Sequence, residues 1–146
     1  MHYAAKRTRG FTLVELAVVV VIIGVLAAFA VPRFLVSVER SKASEAFNYL
    51  ATLHSAQERY QARQGTYADA ISKLDTQMDT PEYFSVGSIE VPSSASSLET
   101  GWEITMTRSG SSAGFGNYTV VWTHEGFDST NSTISNDINP FQTSSS

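Results

Sequence analysis

Cysteine is absent from this 146-residue chain, which excludes a disulfide framework, a thiolate zinc site and a cysteine nucleophile. Basic charge is scarce and badly placed for phosphate binding. Lys6, Arg7 and Arg9 supply three of the ten Lys and Arg residues, and none follows until Arg33. Beyond the first ten positions, seven basic residues stand against fourteen acidic ones. An acidic body of that kind predicts no specific nucleic-acid partner. From Leu16 to Val31 there is no charge and no hydrogen-bonding side chain. From Ser85 onward, by contrast, Ser, Thr, Gly and Asn crowd the sequence. The length allows one modest domain, and these two compositions suit different solvents.

The apolar run and the basic residues before it admit three readings. A cleaved secretory signal would use the small-x-small triplet Ala28-Phe29-Ala30, but the run exceeds the usual h-region of about 7 to 15 residues, and secretion gives no role to Glu15. As a membrane anchor the segment is sufficient. Eleven Leu, Ile, Val or Phe residues lie between Leu16 and Val31, each worth about −0.3 to −0.6 kcal/mol on insertion, or roughly −5 kcal/mol together. One acid near the edge costs less than the about 2.5 to 3.5 kcal/mol of mid-bilayer. Phe11 to Val31 at about 1.5 Å per residue covers the roughly 30 Å hydrocarbon core. The third reading is more specialised and starts from the acid. An ionisable group inside a membrane calls for a named partner. A cut between Gly10 and Phe11 would create an α-amino group four residues from Glu15, and a neighbouring subunit could present the same pair.

Gly10-Phe11-Thr12-Leu13-Val14-Glu15, with a short basic leader before it and an unbroken apolar run after it, resembles the class III signal of type IV prepilins and pseudopilins. The resemblance implies cleavage after Gly10 by a membrane prepilin peptidase and N-methylation of Phe11. It also implies a salt bridge from Glu15 to the Phe11 amino group of an adjacent subunit during assembly. Gly24 and Pro32 fall where pilins carry helix-weakening residues. Their own chemistry agrees: Pro32 removes a backbone N–H and crowds the carbonyl of residue 28, and Gly24 is a poor helix former. Such breaks are tolerated in lipid where neighbouring helices cover the freed backbone.

Beyond the span, Leu35, Val38, Ala43, Ala46, Phe47, Leu50, Leu53 and Tyr60 recur at helical spacing, with Glu39, Arg40, Lys42, Glu45, Glu58 and Arg59 expected on other faces. Gly65 provides the stop. Asp69 to Leu74 suggests a short helical turn. Three strands are expected around Phe84–Val91 with a bulge at Gly87, around Trp102–Thr107 and around Tyr118–Thr123; Ser109–Gly116 and everything from Glu125 on read as loop. The fold class is therefore α+β: a long N-terminal helix, apolar then amphipathic, packed on a small antiparallel sheet of three to four strands. The predicted parts are a leader (1–10), a membrane or filament-core helix (11–32), an amphipathic half (33–64) and a β-rich head with a loop-like tail (65–146). This layout is pilin-like, with one departure. Many major pilins close a C-terminal loop with a disulfide, so here hydrogen bonds, packing or an ion must hold the tail.

No enzyme chemistry assembles from these residues. Gly110-Ser111-Ser112-Ala113-Gly114 fits G-x-S-x-G, yet it sits between two predicted strands rather than at a strand-to-helix turn with a His and an acid. His2, His54 and His124 have no metal-ligand spacing. Asp128 and Asp137, with Asn131 and Asn136, are weak calcium candidates; pseudopilins have a calcium-stabilised loop, but there is no EF-hand spacing and a solvated loop is favoured. The sequons at Asn117 and Asn131 carry no modification claim. No cofactor is expected. The resemblance implies a type IV pilus subunit whose partners are copies of itself in a helical homopolymer, the prepilin peptidase, an inner-membrane pilus or secretion platform and, before assembly, the lipid bilayer. Positive residues before the span place the N-terminus in the cytoplasm, with the head in the periplasm or outside the cell. The alternatives are a pseudopilin or minor pilin of a type II secretion or DNA-uptake system, and a single-span binding domain that never polymerises.

Overall fold

A computed structural model describes residues 10–142; residues 1–9, His2 among them, and residues 143–146 lie outside the described part. Helix α1 runs from Leu13 to Gln64 and is followed by a 3-10 turn, Ile71–Lys73. Four strands then form one antiparallel sheet in the order β1 (Phe84–Glu90), β2 (Glu103–Arg108), β3 (Thr119–Thr123) and β4 (Gly126–Asp128).

The chain divides into two compact units between Leu35 and Val36. In the first, every described residue is exposed, including the apolar ones from Leu16 to Val31. The helix is continuous through Gly24 and Pro32. It is long and apolar enough to cross a membrane.

The second unit holds the core. Ala46, Phe47, Leu50, Leu53 and Ala56 line the buried stripe of α1, at the threes and fours that a 3.6-residue period requires. They pack on Phe84, Ile89, Ile104, Met106, Val120 and Trp122 of the sheet. Gly65 ends the helix as expected: its φ of 76° suits glycine, and its N–H donates to the Gln61 carbonyl at 2.8 Å. In β1, Val86 pairs with Met106 and Ile89 with Ile104, so the register shifts between them. That bulge lets two residues three apart share the core face. Gly87 occupies it because a Cβ there would lie 2.7 Å from the Thr105 carbonyl oxygen.

Two expectations need correction. Glu39 is not on a solvent face; it is 1% exposed and ion-paired with Arg108. The chain after Glu125 is not all loop, because β4 pairs with β3 and sets Phe127 opposite Trp122. The tail beyond is held by packing and hydrogen bonds. Ile138 and Asn139 are buried, the Phe141 ring lies 4.8 Å from that of Phe47, and Arg40 Nη2 donates to the Gln142 carbonyl at 2.6 Å.

Candidate functional site

The motif residues cluster at the start of α1. Gly10 and Phe11 precede the helix and are exposed, Phe11 at 81%. The helix begins at Leu13 because Thr12 caps it. The Thr12 Oγ1 accepts the Glu15 N–H at 3.2 Å, while Glu15 Oε2 accepts the Thr12 N–H at 2.8 Å and its hydroxyl at 3.0 Å. This is a reciprocal capping box, whose sequence signal is the Thr-x-x-Glu spacing rather than the apolar run or the Gly-Phe step. It satisfies backbone donors that a helix start leaves orphaned, and a carboxylate there also meets the positive end of the helix dipole. The acid at the edge of the apolar run thus has a partner within its own chain. Both cap bonds fall on Oε2. Among the described residues, Glu15 is the one charged side chain between Gly10 and Pro32.

The other candidates lie apart from this segment. Asp128 folds its carboxylate over its own turn, accepting the N–H groups of Thr130 and Asn131 at 2.9 and 3.1 Å and the Asn131 side-chain amide at 2.7 Å. The Asn131 side chain foremost, and those backbone donors, hold its carboxyl below the usual range against a modest opposing effect of burial. Asp137 donates its backbone N–H to Ser135 Oγ at 3.4 Å. Among the described residues no group of three or more His, Asp or Glu is arranged to hold a metal. The Gly110–Gly114 pentapeptide lies in the β2–β3 connection, where Gly110, Ala113 and Gly114 take positive φ. His54 serves the core instead, accepting the Trp122 indole N–H on Nδ1 at 3.2 Å.

Residues 5–31 match the model of the prokaryotic N-terminal methylation motif. The chain is similar to the type IV major pilin protein PilA of Myxococcus xanthus (strain DK1622), 46% identical over 68 residues that cover 47% of this chain and 31% of that one. It is similar also to the type II secretion system core protein G of Escherichia coli (strain K12), 33% identical over 78 residues covering 53% and 54%. A solved type IV pilin from Shewanella oneidensis superposes with a TM-score of 0.47 at 18% identity, covering 66% of this chain and 98% of that one. The chain spans roughly a third to a half of the curated relatives it matches. It carries the N-terminal methylation motif, and its relatives are type IV pilins and type II secretion pseudopilins.

Proposed function

We propose that this chain is the structural subunit of a type IV pilus filament, cut after Gly10, methylated at Phe11 and assembled through its N-terminal helix. One observation carries the reading: a single carboxylate, Glu15, stands at the head of an otherwise uncharged helix half whose apolar side chains all face outward. Water is the wrong solvent for that surface, whereas lipid, and then the matching surfaces of other copies, would cover it. The cap gives Glu15 neutral donors, which lessens its desolvation but leaves its charge uncompensated. A new ammonium on Phe11 of the next subunit supplies the missing charge. With Oε2 engaged by Thr12, Oε1 is the oxygen to receive it.

On this reading residues 1–10 are the leader, 11–32 the membrane and filament-core helix, 33–64 its amphipathic half and 65–146 the head. Gly24 and Pro32 are the positions at which the helix bends when packed among its copies. The precursor spans the inner membrane with its basic end in the cytoplasm, and its head passes to the periplasm or beyond. The partners are a prepilin peptidase, the assembly platform and further copies of the chain. The similarity to protein G of type II secretion favours a second reading by the same mechanism, a pseudopilin forming a short periplasmic fibre.

Mass spectrometry of the mature chain tests the proposal. The expected N-terminus is Phe11 bearing one methyl group; a chain that starts at Val31 establishes ordinary secretion instead. Glu15→Ala is expected to abolish fibres while leaving the subunit inserted, with insertion improved by about 1 to 3 kcal/mol at most. Normal fibres from that variant overturn the role given to the acid. Long fibres composed mainly of this chain favour the pilus over the pseudopilus.

A further inference from the structure

The first buried side chain of α1 is that of Glu39. Its Oε1 accepts Arg108 Nε–H at 2.6 Å and the Tyr118 hydroxyl at 2.9 Å, and its Oε2 accepts Arg108 Nη2 at 3.2 Å. The rest of the guanidinium is also committed. Nη1 donates to the carbonyls of Tyr83, at 3.2 Å, and Ser109; Nη2 donates to that of Ser111 at 2.7 Å. One arginine, itself 1% exposed, therefore joins the first buried turn of the helix, the residue before β1 and the β2–β3 connection. A pair of apolar residues of similar volume would hold such a site at least as firmly, since a buried ion pair roughly repays its own desolvation. What the charged pair adds is a way to open.

We propose that Glu39 and Arg108 form an acid-released clamp coupling the first buried turn of α1 to the β2–β3 connection, so that opening it frees both segments while the core further along the helix stays packed. The groups around Glu39 set the direction. Burial alone raises its pKa, but hydrogen bonds from Arg108 and Tyr118, with the charges of Arg108 and Lys42, outweigh it and hold the carboxyl below the usual glutamate range. A depressed folded-state value means the stabilisation is present above the unfolded value of about 4.3 and is lost as pH falls through the folded one. Once Glu39 is neutral, Arg108 is a buried cation without a counter-charge, and Lys42 on the same helix adds only repulsion. Tyr83, just before β1, and Tyr118, at the end of the β2–β3 connection, bring phenols, which supply no negative charge in acid. Glu45 and Glu82 are the remaining acids near this corner; the Glu45 carboxylate accepts the N–H groups of Glu82 and Tyr83, and the Glu82 carboxylate lies beside the Tyr83 phenol. The packed stretch from Ala46 to Leu53 carries no acid and no histidine; His54, which accepts the Trp122 indole N–H, follows it, and Gln57 pairs with the Ala68 backbone. Release should therefore remain local.

Hydrogen exchange read by mass spectrometry on the full chain in detergent micelles tests this, with rates corrected for the intrinsic effect of pH. Residues 36–42 and 108–117 are expected to exchange about tenfold faster, or more, at the acid end of a pH series carried well below the usual glutamate range than at neutrality, while 46–53 is unchanged. Glu39→Gln should produce the fast behaviour in both segments already at neutral pH. The double variant Glu39→Met/Arg108→Met, which keeps the site filled without charge, should exchange slowly and show no acid response. The proposal is overturned if 108–117 in the native chain is indifferent to acid, or if the double variant keeps the response, which would assign it to Glu45 or Glu82.

Discussion

The two acids that matter most on α1 are read by opposite neighbours. Glu15 is exposed beside apolar side chains and bonds within its own turn, whereas Glu39 is enclosed and bonds to residues 69 and 79 positions away. That difference decides what a sequence can disclose. Glu15 is legible because the cap, the apolar run and the Gly-Phe step are all local. Helical periodicity sorts residues by type and so puts Glu39 on a polar face, and nothing near Glu39 in the sequence announces Arg108. Glycines give the same contrast in testable form. Gly87→Ala places a methyl group 2.7 Å from a backbone oxygen that cannot swing away, so it should destabilise the head by about 1 to 3 kcal/mol in urea unfolding. Gly24→Ala meets nothing within 4 Å. It should leave head unfolding unchanged while raising helicity, because an exposed helical alanine is favoured over glycine by about 0.8 to 1 kcal/mol. A larger loss at Gly24 than at Gly87 would contradict the packing described here.

Among the elements, the sheet shows where alternation is a good guide and where it stops. β2 and β3 are readable because apolar and polar types alternate along β2 and Val120 and Trp122 recur in β3 at the same spacing; Ile104, Met106, Val120 and Trp122 are buried, as are Arg108 and Val121, which alternation does not foretell. β4 escaped because three residues cannot display a period; only Phe127 opposite Trp122 marks it, and that contact exists after folding alone. The sheet also retains a flaw. Glu90 and Glu103 are direct partners across β1 and β2, and like charges in that position repel. Glu103→Thr should raise the stability of the head by about 0.2 to 1 kcal/mol, seen as a higher midpoint of thermal unfolding at neutral pH and low salt. The gain should shrink in about 1 M salt, where the screening length falls to roughly 3 Å. An unchanged midpoint would mean that the two carboxylates already splay apart, as the Ser88 hydroxyl bond to Glu90 would permit.

For the molecule as a whole, the division at Leu35 and Val36 separates two ways of spending apolar residues. Before it, Val, Leu, Ile and Phe are presented outward, and none from Phe11 to Leu35 is buried. After it, they enclose a core with both tryptophans inside. Burial of apolar area is the main term holding a domain together, so a segment that buries none of its own side chains contributes little to the stability of the rest. A fragment beginning at Val36 should therefore fold alone. In buffer without detergent it should be monomeric by light scattering, with mixed helix and strand by circular dichroism. Its thermal midpoint should fall within about 5 °C of the head transition of the full chain in micelles, allowing about 1 kcal/mol for a helix start that has lost its continuation. The full chain without detergent should associate or precipitate. If the fragment is unfolded, the first half of α1 stabilises the head, and a surface taken here as free for lipid and for other copies has a further partner in its own chain. If it folds with an unchanged midpoint, that surface has no task within one subunit, and its sixteen uncharged residues are explained by what lies outside the molecule.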